Sequence, residues 1–182
     1  MTTETTSIPL ELFDLADDAG KRYHVYPLIN GRKKRWIEAP DPELKQAQRW
    51  LLDHWLYQLE PTDLAHGFVP GRSILTNAGL HVGREWVVTA DIRNFFPSIT
   101  AARVSKAIAD LEMSEPEQEL LVKLVTRRGR LPQGAPTSPH LANLVARNLD
   151  IRLAGLAGQD DWTYSRYADD LAFSGSGDPH QL

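Results

Sequence analysis

Tyr167-Ala168-Asp169-Asp170 lies between two short strand-like runs, which puts two adjacent carboxylates at the tip of a β-hairpin. The run Asp161-Trp162-Thr163-Tyr164-Ser165-Arg166-Tyr167 has the aromatic and β-branched enrichment of a strand. Leu171-Ala172-Phe173-Ser174 reads as its return, ended by Gly175-Ser176-Gly177. Side by side, like charges repel, and each is costly to desolvate without a counter-ion. Water screens such a pair in an exposed turn, whereas in a built site a hard divalent cation resolves the conflict. A second strand, Trp86 to Ile92, is an apolar run interrupted by Thr89 that delivers Asp91 at its carboxyl end; its pattern is that of a buried strand.

Three acids converging from two elements form an open oxygen cluster suited to Mg²⁺. Two such ions about 3.5–4 Å apart activate an attacking 3′-hydroxyl and stabilise a pyrophosphate leaving group. A third segment, Leu131-Pro132-Gln133-Gly134-Ala135-Pro136-Thr137-Ser138-Pro139, is a Pro/Gly-punctuated loop running into a helical pattern with Leu141, Leu144, Val145 and Leu149 on one face. Thr137 or Ser138 can cap that helix, and Pro139 suits its first turn. Gly134 lets backbone approach a flat ligand such as a base pair, and Gln133 offers an amide. The plainer alternative is an ordinary loop with a well-capped helix.

The series Asp91-Ile92-Arg93-Asn94-Phe95-Phe96-Pro97-Ser98-Ile99, then Leu131 to Pro139, then Arg166-Tyr167-Ala168-Asp169-Asp170 resembles, in order and approximate spacing, the palm motifs of reverse transcriptases. Upstream, Arg35-Trp36-Ile37-Glu38-Ala39-Pro40, Leu44-Lys45-Gln46-Ala47-Gln48 and Gly67-Phe68-Val69-Pro70-Gly71-Arg72-Ser73 are similar to the fingers motifs of bacterial members. Asn77-Ala78-Gly79-Leu80-His81 resembles the Asn-Ala-x-x-His signature of the retron group. The likeness runs from about residue 21 to the end.

That resemblance implies an α+β fold of the right-hand polymerase type, with fingers and palm and a small antiparallel palm sheet packed on helices. It implies an acidic amino-terminal extension over 1–20, fingers over 21–84, and a palm over 85–182 with interleaved fingers helices at about 100–130, the chain stopping before the thumb. Asp91, Asp169 and Asp170 match the catalytic triad and, with Ile92, the metal ligands. Phe95 and Phe96 match the nucleotide site, the Phe96 ring excluding a 2′-hydroxyl. Gln133 and Gly134 match the loop lining the incoming nucleotide. Arg35 matches a fingers position that grips the triphosphate, where a guanidinium makes bidentate contacts. Arg32, Lys33 and Lys34 add charge beside it, at least two of them as a solvated basic turn. Leu28-Ile29-Asn30 stands where the family usually places a lysine, which leaves part of that grip open. Arg72, Asn77, His81 and Arg128 are the candidates for template RNA contacts.

The implied activity is retron-type RNA-directed DNA polymerisation with two Mg²⁺ ions, Mn²⁺ being able to substitute, making msDNA in an anti-phage defence system. The implied partners are dNTPs, a structured non-coding RNA template, the RNA/DNA hybrid, and an accompanying effector or toxin protein or a separate thumb-bearing chain. A non-catalytic or split RNA-binding subunit and a group II intron-like enzyme are the alternatives.

The net charge of −4 argues against nucleic-acid binding until its distribution is read. The first twenty residues hold five of the 24 acids and none of the 20 Lys and Arg. Basic residues cluster at Lys21 to Arg35 and at Lys123, Arg127, Arg128 and Arg130, where they can track phosphates. Zero cysteines exclude disulfides and thiolate metal sites, and the other histidines, 24, 54, 66, 140 and 180, are scattered. No apolar stretch approaches ~20 residues and the polar start is no secretory signal, so the expected compartment is the cytoplasm, with no membrane partner. Of the tryptophans, Trp36 can stack on bases while Trp50 and Trp55 fit a core. Helices are expected from Asp41-Pro42 to about Leu59, from Ser73 through His81, from Thr100 to about Leu111, and after a Ser114-x-x-Glu117 capping box. Strands are expected near 34–38, 85–91, 162–168 and 171–174.

Overall fold

The computed structural model describes residues 7–31 and 33–176, apart from the Lys33 side chain. Met1 to Thr6, Arg32, and residues 177–182 with Gly177 and His180 lie outside the described residues. The chain forms two compact units, one from residues 1–59 and 96–141, the other from 60–95 and 142–182. Residues 96–141 thus group with the amino-terminal segment, and residues 60–84 with the three-stranded sheet. Helices and small antiparallel sheets alternate through both units, the expected α+β pattern. Among the described residues no helix is long and apolar enough to cross a membrane.

The first unit is mainly helical. Helices α1 (Glu11–Asp18), α2 (Pro42–His54) and α5 (Ala101–Ala107) pack against α6 (Glu115–Val125). Local caps set where they begin. The Asp41 carboxylate accepts from the Leu44 amide at 2.9 Å and Pro42 opens α2, while the Glu117 carboxylate accepts from the Ser114 amide at 2.9 Å ahead of α6. Helix α2 stops at His54, short of Leu59, and a 3₁₀ turn at Leu56–Gln58 follows; α5 likewise stops at Ala107. Leu44, Leu51, Leu56, Val104, Ile108, Leu121 and Leu124 are fully buried. Trp55 joins them, whereas Trp50 is half-buried and stacks on the His54 ring.

Strands β1 (Tyr23–Asn30) and β2 (Lys33–Pro40) form a two-stranded antiparallel hairpin in this unit. Strand β1 is absent from the sequence reading, because Pro27 interrupts its pattern. The remaining helix of the unit is the single turn α4 (Phe95–Ser98), which starts at the unit boundary.

In the second unit, β3 (Trp86–Asp91), β4 (Thr163–Tyr167) and β5 (Asp170–Gly175) make an antiparallel sheet in the order β3-β5-β4. Helix α3 (Ile74–Gly79) contacts β4, and α7 (Ser138–Gln159) contributes residues 142 onward. Ala157, Trp162 and Tyr164 centre a core with Leu153, Val88, Leu171 and Phe173 around them. The expectation that β3 is a buried strand is overturned: Trp86 is 45% exposed and Val87 53%. The outer side of β4, the other edge, is covered by residues 64–66, whereas no strand pairs with the outer side of β3 among the described residues. β3 is an edge strand that pairs on one side only, so its apolar run is not enclosed.

Candidate active site

Two of the three carboxylates come together through strand register. Asp91, the last residue of β3, lies directly opposite Asp170, the first of β5. The next rung is the Ile92 amide donating to the Asp169 carbonyl at 2.9 Å. Asp91 and Asp170 therefore occupy the neighbouring non-hydrogen-bonded position, where Cα atoms stand about 4.5 Å apart and side chains share a face. Asp91 and Asp170 are exposed and Asp169 is half-buried. Ile92 can offer a cation only its backbone carbonyl.

A strained turn carries the pair. Tyr167 and Asp170 close a two-residue loop, and the positive φ of 57° at Ala168 is the signature of a type II′ turn, a position that favours glycine. Holding a non-glycine residue there costs roughly 1–3 kcal/mol, which the surroundings must offset. Gly67 presses against the turn, since a Cβ on it would sit 2.5 Å from the Ala168 nitrogen.

The main brace is Arg166, fully buried on β4. Its Nη1 donates to the Ala168 carbonyl and to Asn143 Oδ1, both at 2.9 Å, while Nε and Nη2 donate to the two oxygens of Asp150 at 2.7 and 2.8 Å. Asp150 is equally buried and accepts two further bonds, from the Tyr164 hydroxyl at 2.9 Å and the Thr62 hydroxyl at 3.1 Å. Burial, reinforced by the Asp150 charge, pushes the Tyr164 hydroxyl far above its ordinary range, so it remains a donor. Asn143 completes the frame by donating to the Gly67 carbonyl at 2.9 Å. Residues 64–66 add backbone bonds, Arg166 N to Leu64 O and His66 N to Arg166 O, both at 2.8 Å.

Sequence reasoning missed Asn143 and Asp150 and gave Arg166 no task of its own. The available signal was a pair of polar residues two helical turns apart in the otherwise apolar α7 stripe of Ala146, Leu153 and Ala157.

Other expected site residues of this unit have structural partners. Phe95 is buried, with the Arg166 guanidinium carbon 5.7 Å from its ring centre, a cation–π arrangement. Arg72 donates to the Thr62 and Ala65 carbonyls at 2.8 and 2.7 Å and pairs with Asp63 at 2.6 Å, tying up the loop before α3. Asn77 and His81 are buried.

In the first unit, Gly134 has φ 131°, and a Cβ there would stand 2.9 Å from Ile37 Cγ2 and 3.1 Å from the Glu38 carbonyl oxygen. Strand β2 approaches this glycine on the side a Cβ would occupy. The Glu38 amide donates to the Gln133 carbonyl at 2.8 Å, and the Glu38 carboxylate pairs with Arg127, whose guanidinium lies over the Tyr23 ring. Arg35 is exposed on β2 opposite Leu28, Gln133 and Phe96 are half-buried, and Arg128 is exposed at a positive φ of 51°. Lys34 lies over the exposed Trp36 ring, 4.4 Å from its centre. Thr137 and Ser138 do not cap α7 as expected: among the described residues the buried Thr137 hydroxyl has no hydrogen-bond partner, and the Ser138 hydroxyl donates to the Pro132 carbonyl at 2.7 Å.

The donor set fits a hard cation. Asp91, Asp169 and Asp170 offer only oxygens, and among the described residues no ion pair engages Asp91 or Asp169. Among those residues no three His, Cys, Asp or Glu side chains stand close enough to form a metal cage. Magnesium is ordinarily held by one or two carboxylates together with substrate phosphates, which matches an opposed pair better than a closed cage.

Residues 30–182 match the family model described as reverse transcriptase (RNA-dependent DNA polymerase). Retron Mx162 reverse transcriptase of Myxococcus xanthus is 45% identical over 159 residues, covering 78% of this chain and 33% of that protein. Retron Mx65 reverse transcriptase of the same organism gives 45% over 159 residues, with 78% and 37% covered. Retron Ec86 reverse transcriptase of Escherichia coli is 38% identical over 156 residues, covering 84% and 49%. The chain thus spans between a third and a half of the length of these relatives.

Proposed function

The chain belongs to the reverse transcriptase family, with that family's fingers/palm domain, and from that membership we propose that it serves retron-type RNA-directed DNA synthesis. The reaction is transfer of a deoxynucleotide from a dNTP to a primer 3′-hydroxyl on an RNA template. One observation carries the reading: Asp91 opposite Asp170, with Asp169 beside it on a turn braced from within. Mg²⁺ ions held by Asp91, Asp169, Asp170 and the Ile92 carbonyl would supply charge neutralisation for the triphosphate and a more acidic 3′-hydroxyl. The residues themselves position and select. Arg35 grips triphosphate oxygens, Phe96 sets a hard floor under the sugar, and Gln133 offers its amide to the nascent pair. Arg128, an exposed cation, tracks template phosphates. Structured non-coding RNA as template, msDNA as product, a role in anti-phage defence, and an effector or thumb-bearing partner belong to this reading by analogy with the retron relatives.

Primer extension on a defined RNA, with Mg²⁺ and dNTPs, tests it. DNA synthesis should appear and should disappear in Asp91→Asn. Synthesis undiminished in that variant would end the assignment.

A further inference from the structure

His81 follows α3 by one turn, its amide donating to the Ala78 carbonyl at 3.0 Å. Both ring nitrogens are engaged at 2.7 Å, Nδ1 with the Ser174 hydroxyl on β5 and Nε2 with the Ser165 hydroxyl on β4. The Ser165 hydroxyl in turn donates to Asn77 Oδ1 at 2.9 Å. All four side chains are buried: Ser165 and Ser174 are 0% exposed, Asn77 7% and His81 8%. A single imidazole therefore joins α3 to both strands of the hairpin whose tip carries Asp169 and Asp170.

The proton inventory allows one neutral arrangement. A serine has one hydroxyl hydrogen, and that of Ser165 goes to Asn77, so Ser165 must accept from His81 Nε2–H. Nδ1 is then bare and accepts the Ser174 hydroxyl. Burial, with Arg84 adding, holds the ring below the ordinary histidine range and so neutral, as this arrangement requires. The other tautomer would leave the lone pairs of Nε2 and the Ser165 oxygen facing each other in the interior.

We propose that Asn77 and His81, the two named residues of the Asn-Ala-x-x-His signature, are positioning residues that lock α3 onto the catalytic hairpin, and that neither touches template RNA. The inference rests on the polymerase reading for the hairpin's task, while the lock itself stands on the side-chain geometry. Its physical effect is to fix the β4–β5 pair on the side away from Arg166's partners in α7, so that the hairpin is held from two elements.

The test compares His81→Leu, which removes both bonds, with His81→Gln, whose amide supplies one donor and one acceptor, on the full chain. Single-turnover synthesis at saturating RNA-primer and dNTP, Mn²⁺ affinity by titration, and RNA Kd are read together. Outer supports of a metal site typically cost about 10–100-fold in affinity or activity when removed, so His81→Leu should lose that much in both rate and Mn²⁺ affinity. RNA Kd should stay within about twofold, and His81→Gln should recover most of the loss. In the unaltered protein, ¹⁵N spectra of the imidazole should give the Nε2–H tautomer, a readout that survives even if His81→Leu fails to fold. The proposal is overturned by an Nδ1–H tautomer, or by a tenfold or larger rise in RNA Kd in both variants with the saturated rate kept. If the unaltered protein made no DNA, the polymerase reading would fall, and the tautomer, Mn²⁺ affinity and RNA Kd would still decide the lock.

Discussion

Strands β1 and β2 turn Val25, Tyr26, Leu28, Ile29 and Trp36 outward, whereas the β4–β5 hairpin buries Tyr164, Ser165, Arg166, Ala172 and Ser174. The first hairpin is anchored at its base, through the Glu38 amide, the Glu38–Arg127 pair and the close approach of Gly134. The second is held at its tip, where Arg166 bonds the carbonyl of the turn itself. A lone two-stranded hairpin is marginal in water, so the exposed one belongs to the low-stability end of the molecule. Carboxylates that must keep their spacing cannot tolerate that marginality. The comparison teaches that rigidity here is bought with buried polar groups placed behind the exposed carboxylates, and strain at Ala168 is tolerated because Arg166 over-determines the turn.

The largest effect should come from breaking that brace. Asp150→Ala leaves the Arg166 charge buried without its partner and should destabilise the fold by about 3–5 kcal/mol, read from denaturant midpoints. A loss under about 1 kcal/mol would mean the ion pair is not what holds the hairpin. In the other region, Gly134→Ala forces a side chain onto β2 at φ 131° and should cost about 2 kcal/mol by the same measurement.

Acid should expose the same asymmetry. Burial lowers His66, His81 and His140 below the ordinary value of 6.5, so each is neutral when folded and takes a proton more readily when unfolded. Their contribution is complete above about pH 6.5 and declines as pH falls below it, by at most about 1.4 kcal/mol per group per pH unit. Denaturant midpoints at pH 7.5 and 5.5 check this; an unchanged midpoint would contradict burial of the neutral rings. Ala168→Gly relieves the turn but loosens the unfolded chain, for a net gain of about 0.5 kcal/mol. Smallest of all, Ile29→Thr on the exposed hairpin should stay within about 0.5 kcal/mol.

What the sequence made legible was local. The caps at Asp41, Ser73, Thr100 and Ser114, and the hairpin around Asp169 and Asp170, are set by residues within a few positions of one another. The sequence led only to an expected cluster of Asp91 with Asp169 and Asp170; that Asp91 stands opposite Asp170 is a register that no residue near either one sets. Non-local facts were hidden. Arg166 meets Asn143 and Asp150 across 23 and 16 residues, and no spacing rule joins them. The apolar run of β3 announced a strand but could not say that it lies at an edge. The serine partners of Asn77 and His81 lie 84 to 93 residues away, so their hydrogen bonds were hidden as well.

The most direct test of the account is a calorimetric titration of the full chain with Mn²⁺ and a deoxynucleotide, repeated on Asp91→Ala with its fold checked by circular dichroism. Saturable binding that vanishes in the variant is the result expected of opposed carboxylates serving one cation site. Binding of unchanged strength in a folded Asp91→Ala would contradict it.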